Sequence, residues 1–182
     1  MQNYMDLAIF FDSFAVAGDK DLLINLKDDL FHKLHDQDVF LAYFAKSTLT
    51  FDTPSTIANF MTKTHHIDIK KAGVFPIVQG IRSLALREKI RETTTVKRIK
   101  ILEQKKVLEH DMAYELLEAF DVLGMLRLKA QLQKVQDGLT INNDIDTHSL
   151  GKIERDLLKD SFKIVTDFKK FIAYSFKTDK IS

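Results

Sequence analysis

The stretch from Asp111 to Gln136 contains no proline and a single glycine, and its apolar spacing stays helical until Gly138, where a C-terminal stop is expected. A helix of that length runs about 39 Å and needs long partners to bury one side of it. The segment from about Leu150 to Phe176 supplies one, with Ile153, Leu157, Ile164, Phe168 and Phe171 expected on its core face. Between them lies GLTINNDIDTH, rich in the Asn and Asp that turns favour, so the two helices should pack antiparallel. The centre of the first, VLGMLRL, is apolar on nearly every side except Arg127, which predicts a place deep in the bundle.

The rest of the chain reads the same way. With two prolines and six glycines in 182 residues, few signals interrupt helices. Asp19 caps a helix carrying Leu22, Leu23, Leu26, Leu30 and Leu34, and a second runs from about Asp38 to Leu49. Ala8 to Phe11 is a short apolar run that could form a strand. Pro54 marks a break, Ile57 to Met61 suggests a short helix, and THHIDIKKAG reads as a connector. A further helix is expected from Val74 to about Ile90, with Pro76 tolerated in its first turn and Gly80 allowing close approach of a neighbour. Thr94 or Thr95 begins another, with Val96, Ile99, Leu102 and Val107 on one side. The expected fold class is all-α: an antiparallel helical bundle over residues 67–182, with a smaller N-terminal helical segment over residues 1–66. Fourteen Phe and no Trp suit such a core, because phenyl rings bring large area and no polar atom to satisfy.

Several chemistries lack their residues. There is no cysteine, so disulfides, Cys-zinc sites and thiol nucleophiles are excluded. The start, MQNYMDLAIFFDSF, has no basic n-region, no apolar run is long enough to span a bilayer, and a cytoplasmic location is expected. Nucleotidyl transfer needs paired carboxylates around Mg²⁺ and a Gly-Ser turn for the triphosphate. The Asp-x-Asp pairs here are Asp19/Asp21, Asp36/Asp38 and Asp144/Asp146, no Gly-Ser dipeptide occurs, and Asp144 and Asp146 read as turn residues. Phosphate-binding glycine loops and HExxH are absent, as is the Arg-to-His spacing of helical ribonucleases. His32/His35 and His65/His66 with Asp68 bring no third ligand at helical spacing, so no metal is expected.

Charge is unevenly placed despite a net of +1. Residues 1–38 hold eight Asp against three Lys, and residues 82–106 hold nine Lys or Arg against three Glu. A helix-turn-helix over 95–130 would put an acidic helix start (Glu109, Asp111, Glu115, Glu118) against phosphates, so nucleic acid is not the expected partner.

IDIKKAGVFPIVQGIRSLAL, TTTVKRIKIL, LLEAFDVLGMLRLKAQL, NNDID and LGKIERDLLKDSFKIV, in that order, resemble the nucleotidyltransferase substrate-binding domain family over roughly residues 67–178. IFFDSFAVAGD resembles the phrase that closes the nucleotidyltransferase-like domain in such proteins. Phe14 stands where the family usually has Arg, and Thr147 where it has Pro. The resemblance implies a non-catalytic, substrate-binding or regulatory helical domain of a bacterial signal-transduction protein. Its implied partners are an upstream nucleotidyltransferase-like domain, similar to that of the nitrogen-regulatory uridylyltransferase, and CBS or cyclic-nucleotide-binding domains. No cofactor is implied for this chain, and Mg²⁺ and nucleotide would belong with the upstream domain. Positions matching the family's polar pattern are Arg82, Arg98, Arg127, Gln131, Asn143, Glu154 and Arg155. Arg82, Arg98, Arg127, Gln131 and Arg155 are candidates either for structural pairing inside the bundle or for substrate or anion binding, and Glu154 is the candidate buried partner of Arg127. The alternative reading is a structural interaction module that forms a homodimer through Phe-rich helix faces.

Overall fold

The computed structural model describes residues 2–54 and 66–181; the expected helix at Ile57 to Met61, and His65, lie outside them. The described residues form helices α1 (Gln2–Asp12), α2 (Lys20–Lys33), α3 (Asp38–Lys46), α4 (Phe75–Arg87), α5 (Thr95–Gln104), α6 (His110–Gln136) and α7 (Lys152–Phe176). The fold is predominantly all-α, as the spacing predicts. Ala8 to Phe11 belongs to α1 rather than to a strand, because no neighbouring strand offers hydrogen bonds there.

Helices α6 and α7 form the most extensive pair; α4 packs on α7 with α5 and α3 against it, and α5 reaches α6. Gly80 is the point of closest approach: a Cβ there would sit 2.5 Å from the Phe168 ring of α7. Gly73 likewise faces Leu123 and Phe162. Gly138 ends α6 with φ of +67°, and Leu139 N–H donates to the Lys134 carbonyl, closing the left-handed cap expected of glycine there.

Two features of the connector escape apolar periodicity. His66–Asp68 (β1) pairs antiparallel with Asp144–Asp146 (β2), placing Ile67 opposite Ile145, both buried. Immediately afterwards the chain makes one widened turn over Lys70–Val74, in which Phe75 N–H donates to the Lys70 carbonyl five residues back. The Thr53 hydroxyl donates to Ala72 O within that turn. The turn runs straight into α4, so Pro76 lies in the first turn of that helix.

The faces of the long helices differ from expectation. In α6 only Leu123 and Leu126 of VLGMLRL are buried, while Met125 and Leu128 face outward, because apolar residues occupy opposite sides of this helix. In α7 the core face is Leu158, Phe162, Val165, Phe168, Ile172 and Phe176. Ile153 is exposed and Leu157 largely so, one position off the face that periodicity suggests.

Gly80→Ala should therefore destabilise the fold by about 1–3 kcal/mol through overpacking against Phe168. Gly124→Ala, where a Cβ meets nothing within 4 Å, should stabilise it by up to about 1 kcal/mol. Chemical denaturation of both variants distinguishes a packing glycine from a merely tolerated one.

Candidate functional site

The most unusual group in the interior is Arg98, 1% exposed on the second turn of α5. Its stem is drawn inward with Ile99 and Leu102, the buried residues of the same helix. Burying a guanidinium requires compensation by charge and hydrogen bonds. Arg98 Nε donates to the Glu92 carbonyl at 2.5 Å, and Nη1 lies 2.7 Å from Asp12 Oδ1, an ion pair rather than an aligned hydrogen bond. The guanidinium also covers the Phe11 ring, 4.5 Å from its centroid. Among the described residues Nη2 finds no hydrogen-bond partner.

Asp12 serves a second arginine. Arg82 of α4 donates to its other oxygen, Oδ2, through Nε at 2.9 Å and Nη2 at 2.6 Å. The remaining Arg82 nitrogen donates to Gln79 Oε1, and Gln79 Nε2 donates to the Phe44 carbonyl of α3. One carboxylate at the end of α1 thus ties α1 to both α4 and α5, and through Gln79 to α3. Lys27 of α2 is the third cation, 5% exposed, with Nζ donating to the Ser13 carbonyl at 2.7 Å. Burial pushes Lys27 below the usual lysine range, and the Arg98 charge pushes it the same way. Burial lowers Arg98 as well, against the attraction of Asp12.

Glu92 completes the set. The Thr94 and Thr93 amides donate to Oε1, and Lys97 lies 3.5 Å from Oε2. The Thr94 amide is the leading reason its carboxyl falls from the ordinary 4.5 to about 2. This turn prepares α5, whose first residue follows Thr94, and it places the Glu92 carbonyl against Arg98.

The sequence candidates fall into three places. Arg82 and Arg98 meet on Asp12. Arg127 and Gln131 lie elsewhere, one turn apart on α6, where Arg127 Nε donates to Asn143 Oδ1 at 2.8 Å and Gln131 reaches Asn142 O and Asn143. Arg155 is exposed near the start of α7. Glu154 does not pair with Arg127: Oε1 accepts from Lys129, and Oε2 accepts from Gly151 N–H. Its place in the first turn of α7 aims it at that helix's own free amides, and Asn143 takes Arg127 instead. Asp144 and Asp146 lie in β2, with Asp146 accepting from His148 N–H in the following turn. Asp12, Lys27, Gln79 and Glu92 were not singled out from sequence. Lys27 leaves a trace, since it continues the Leu23, Leu30, Leu34 face of α2. Asp12, an acid closing the apolar run IFF, leaves another.

Two hollows flank the cluster. One, of about 670 Å³, lies between α1 and α4, lined by Ile9, Phe14, Phe75 and Val78 with Asp12, Arg82 and Lys70. The other, of about 320 Å³, opens between α2 and the Arg91–Thr93 turn beside Lys27. Phe14, 71% exposed, borders both. Among the described residues no three acidic or histidine side chains gather closely enough to hold a metal, and no helix is long and apolar enough to cross a membrane.

The chain belongs to the family described as putative nucleotidyltransferase substrate binding domain, whose model matches residues 38–176. No curated protein and no solved structure matches it. Arg82 and Arg98 lie within the matched span, whereas Asp12 and Lys27 precede it.

Asp12→Asn leaves Arg98 buried without a full counter-charge and should cost about 3 kcal/mol. Adding Arg98→Met should recover part of that loss, a non-additive cycle measurable by urea denaturation. Glu92→Gln should destabilise at neutral pH. Because the folded carboxyl lies below its unfolded value, the deficit should hold above pH 4.5 and shrink as pH falls toward about 2. A pH series of unfolding midpoints for Glu92→Gln and the unchanged chain checks the sign.

Proposed function

We propose that this domain is the non-catalytic half of a substrate cleft, and that the hollow between α1 and α4 is its contribution. The observation that carries this reading is the composition of that hollow. Phe14 and Phe75 present aromatic surface, Ile9 and Val78 are aliphatic, and the cations Arg82 and Lys70 stand at one site. Aromatic surface beside a cation suits a flat, apolar ring that bears an anionic group, which is the chemistry of a nucleotide. Arg82 is already paired with Asp12 and Gln79, so Lys70 is the cation that this hollow offers to an anionic group.

The nucleotidyltransferase-like partner would pack beside this hollow and supply Mg²⁺ and the catalytic carboxylates. Support comes from the segment ahead of the family match, where Met5, Ile9, Phe14, Val16 and Leu22 are large, apolar and exposed. In this arrangement the domain would couple the catalytic-type domain to signal-sensing CBS or cyclic-nucleotide-binding domains of the same protein, a regulatory role.

Nucleoside triphosphates titrated against the protein containing both domains should bind saturably and raise its melting temperature. Phe14→Ala and Lys70→Ala lie at the surface of the hollow and should each weaken binding about tenfold without altering the fold. Equal affinity in both variants and the unchanged protein overturns the assignment of this hollow.

A further inference from the structure

Lys27 is the buried cation of the cluster that no carboxylate answers among the described residues. It is 5% exposed, and its Nζ makes one hydrogen bond among them, to the Ser13 carbonyl. An ammonium has three protons to donate, and burial leaves no water to take the others. The carboxylates nearby are engaged elsewhere: Asp12 with Arg82 and Arg98, and Asp28 with Arg91. Glu92 receives the Thr93 and Thr94 amides on one oxygen and has Lys97 beside the other. Lys27 is left with a carbonyl dipole where the two arginines share a full negative charge.

The same residue stands on the wall of the hollow between α2 and the Arg91–Thr93 turn. Ser13, which accepts its hydrogen bond, is a wall residue too, so the ammonium lies at the edge of that space. We propose that this hollow binds a small organic acid, its single carboxylate against Lys27 and its apolar body against Phe14, Leu23 and Ile24. The carboxylate accepts from the Lys27 protons left over, a charge-assisted hydrogen bond that is strongest where water is excluded. Burial and the Arg98 charge both work against the Lys27 ammonium, and a bound anion opposes them.

The walls set the class of acid. A volume of about 320 Å³ is at the small end for ligand sites and suits a body of a few carbon atoms rather than a nucleotide. Glu92 sets the charge. It lines the same hollow, and its carboxyl, brought down to about 2, is ionised at neutral pH. A second negative charge on the ligand would stand against it, which disfavours phosphates. Lys20, exposed at the start of α2, adds positive potential that draws an anion in, whereas Arg91 is already paired with Asp28. This hollow shares Ser13 and Phe14 with the one between α1 and α4, but neither Arg82 nor Lys70. The proposal therefore stands or falls separately from the substrate-cleft reading.

Sodium hexanoate titrated against the full chain at constant ionic strength should bind saturably and raise its melting temperature. Hexanol has the body without the charge, and inorganic phosphate the charge without the body; each should bind at least about tenfold more weakly. Lys27→Met should weaken hexanoate binding at least about tenfold, since the thioether occupies the place of the stem and offers no proton. Ile24→Trp keeps the cation and narrows the hollow from a position 43% exposed. It should weaken hexanoate binding with unchanged helicity, and it decides the matter should Lys27→Met fail to fold. Absence of saturable hexanoate binding, or full affinity in Ile24→Trp, overturns the site. Full affinity in Lys27→Met, or hexanol binding as tightly as hexanoate, overturns the role of Lys27. Phosphate binding more tightly than hexanoate overturns the class of ligand.

Discussion

A guanidinium enclosed by protein must be paid for in counter-charge, and among the described residues the carboxylate in contact with Arg98 is Asp12. The connection is long in sequence: Asp12 and Arg82 are 70 positions apart. A single acidic side chain at the end of α1 therefore fixes where α4 and α5 lie relative to the start of the chain. Arg82 clamps the other oxygen of the same carboxylate, and Phe11 closes over Arg98 while packing edge-on against Phe31 of α2. With Lys27 beside them the cluster holds three cations against Asp12 and Glu92. Within the cluster, burial lowers the basicity of Lys27 and Arg98, and the neighbouring arginine charge adds to it in each case.

The cluster also divides by origin. Arg82, Arg98 and Glu92 belong to the span matched by the nucleotidyltransferase substrate-binding family, and Asp12 and Lys27 precede it. The anion on which these two arginines converge is thus supplied by the segment ahead of the matched span. The Arg82 charge is used to hold that segment rather than left open to the neighbouring hollow. In the proposed cleft, recognition would depend on Phe14, Phe75 and Lys70.

Helix existence was legible because α6 and α7 are long, uninterrupted and bounded by Gly138 and the Asn-rich loop. Gly80 was legible too, since a glycine within an otherwise apolar helix needs a neighbour, and Phe168 is that neighbour. Facing was harder. Met125 and Leu128 read as core because apolar residues lie on both sides of α6, and periodicity then has no preferred direction. Ile153 and Leu157 misled because a repeat begun one position early fits α7 nearly as well. The Asp12–Arg82–Arg98 cluster was half legible. Its arginines stood out, but their shared partner could not be found by local spacing, since it comes from a different helix far back in the chain. Glu154 shows the converse error, in which proximity suggested a partner that helix-end chemistry had already claimed.

The widened turn at Lys70–Val74 sets the angular phase of everything after it. One residue is added there relative to an ordinary helical turn, and each residue of helix corresponds to about 100° of rotation. Gly80 must point at α7 while Arg82 points at Asp12, and both directions are measured from that turn. Removing a residue from it would leave the composition and length of α4 nearly unchanged, yet swing the glycine off Phe168 and the arginine off its carboxylate together. Packing and charge are in this sense read from a single zero mark. The short segment that looks like a connector works as the index of the domain.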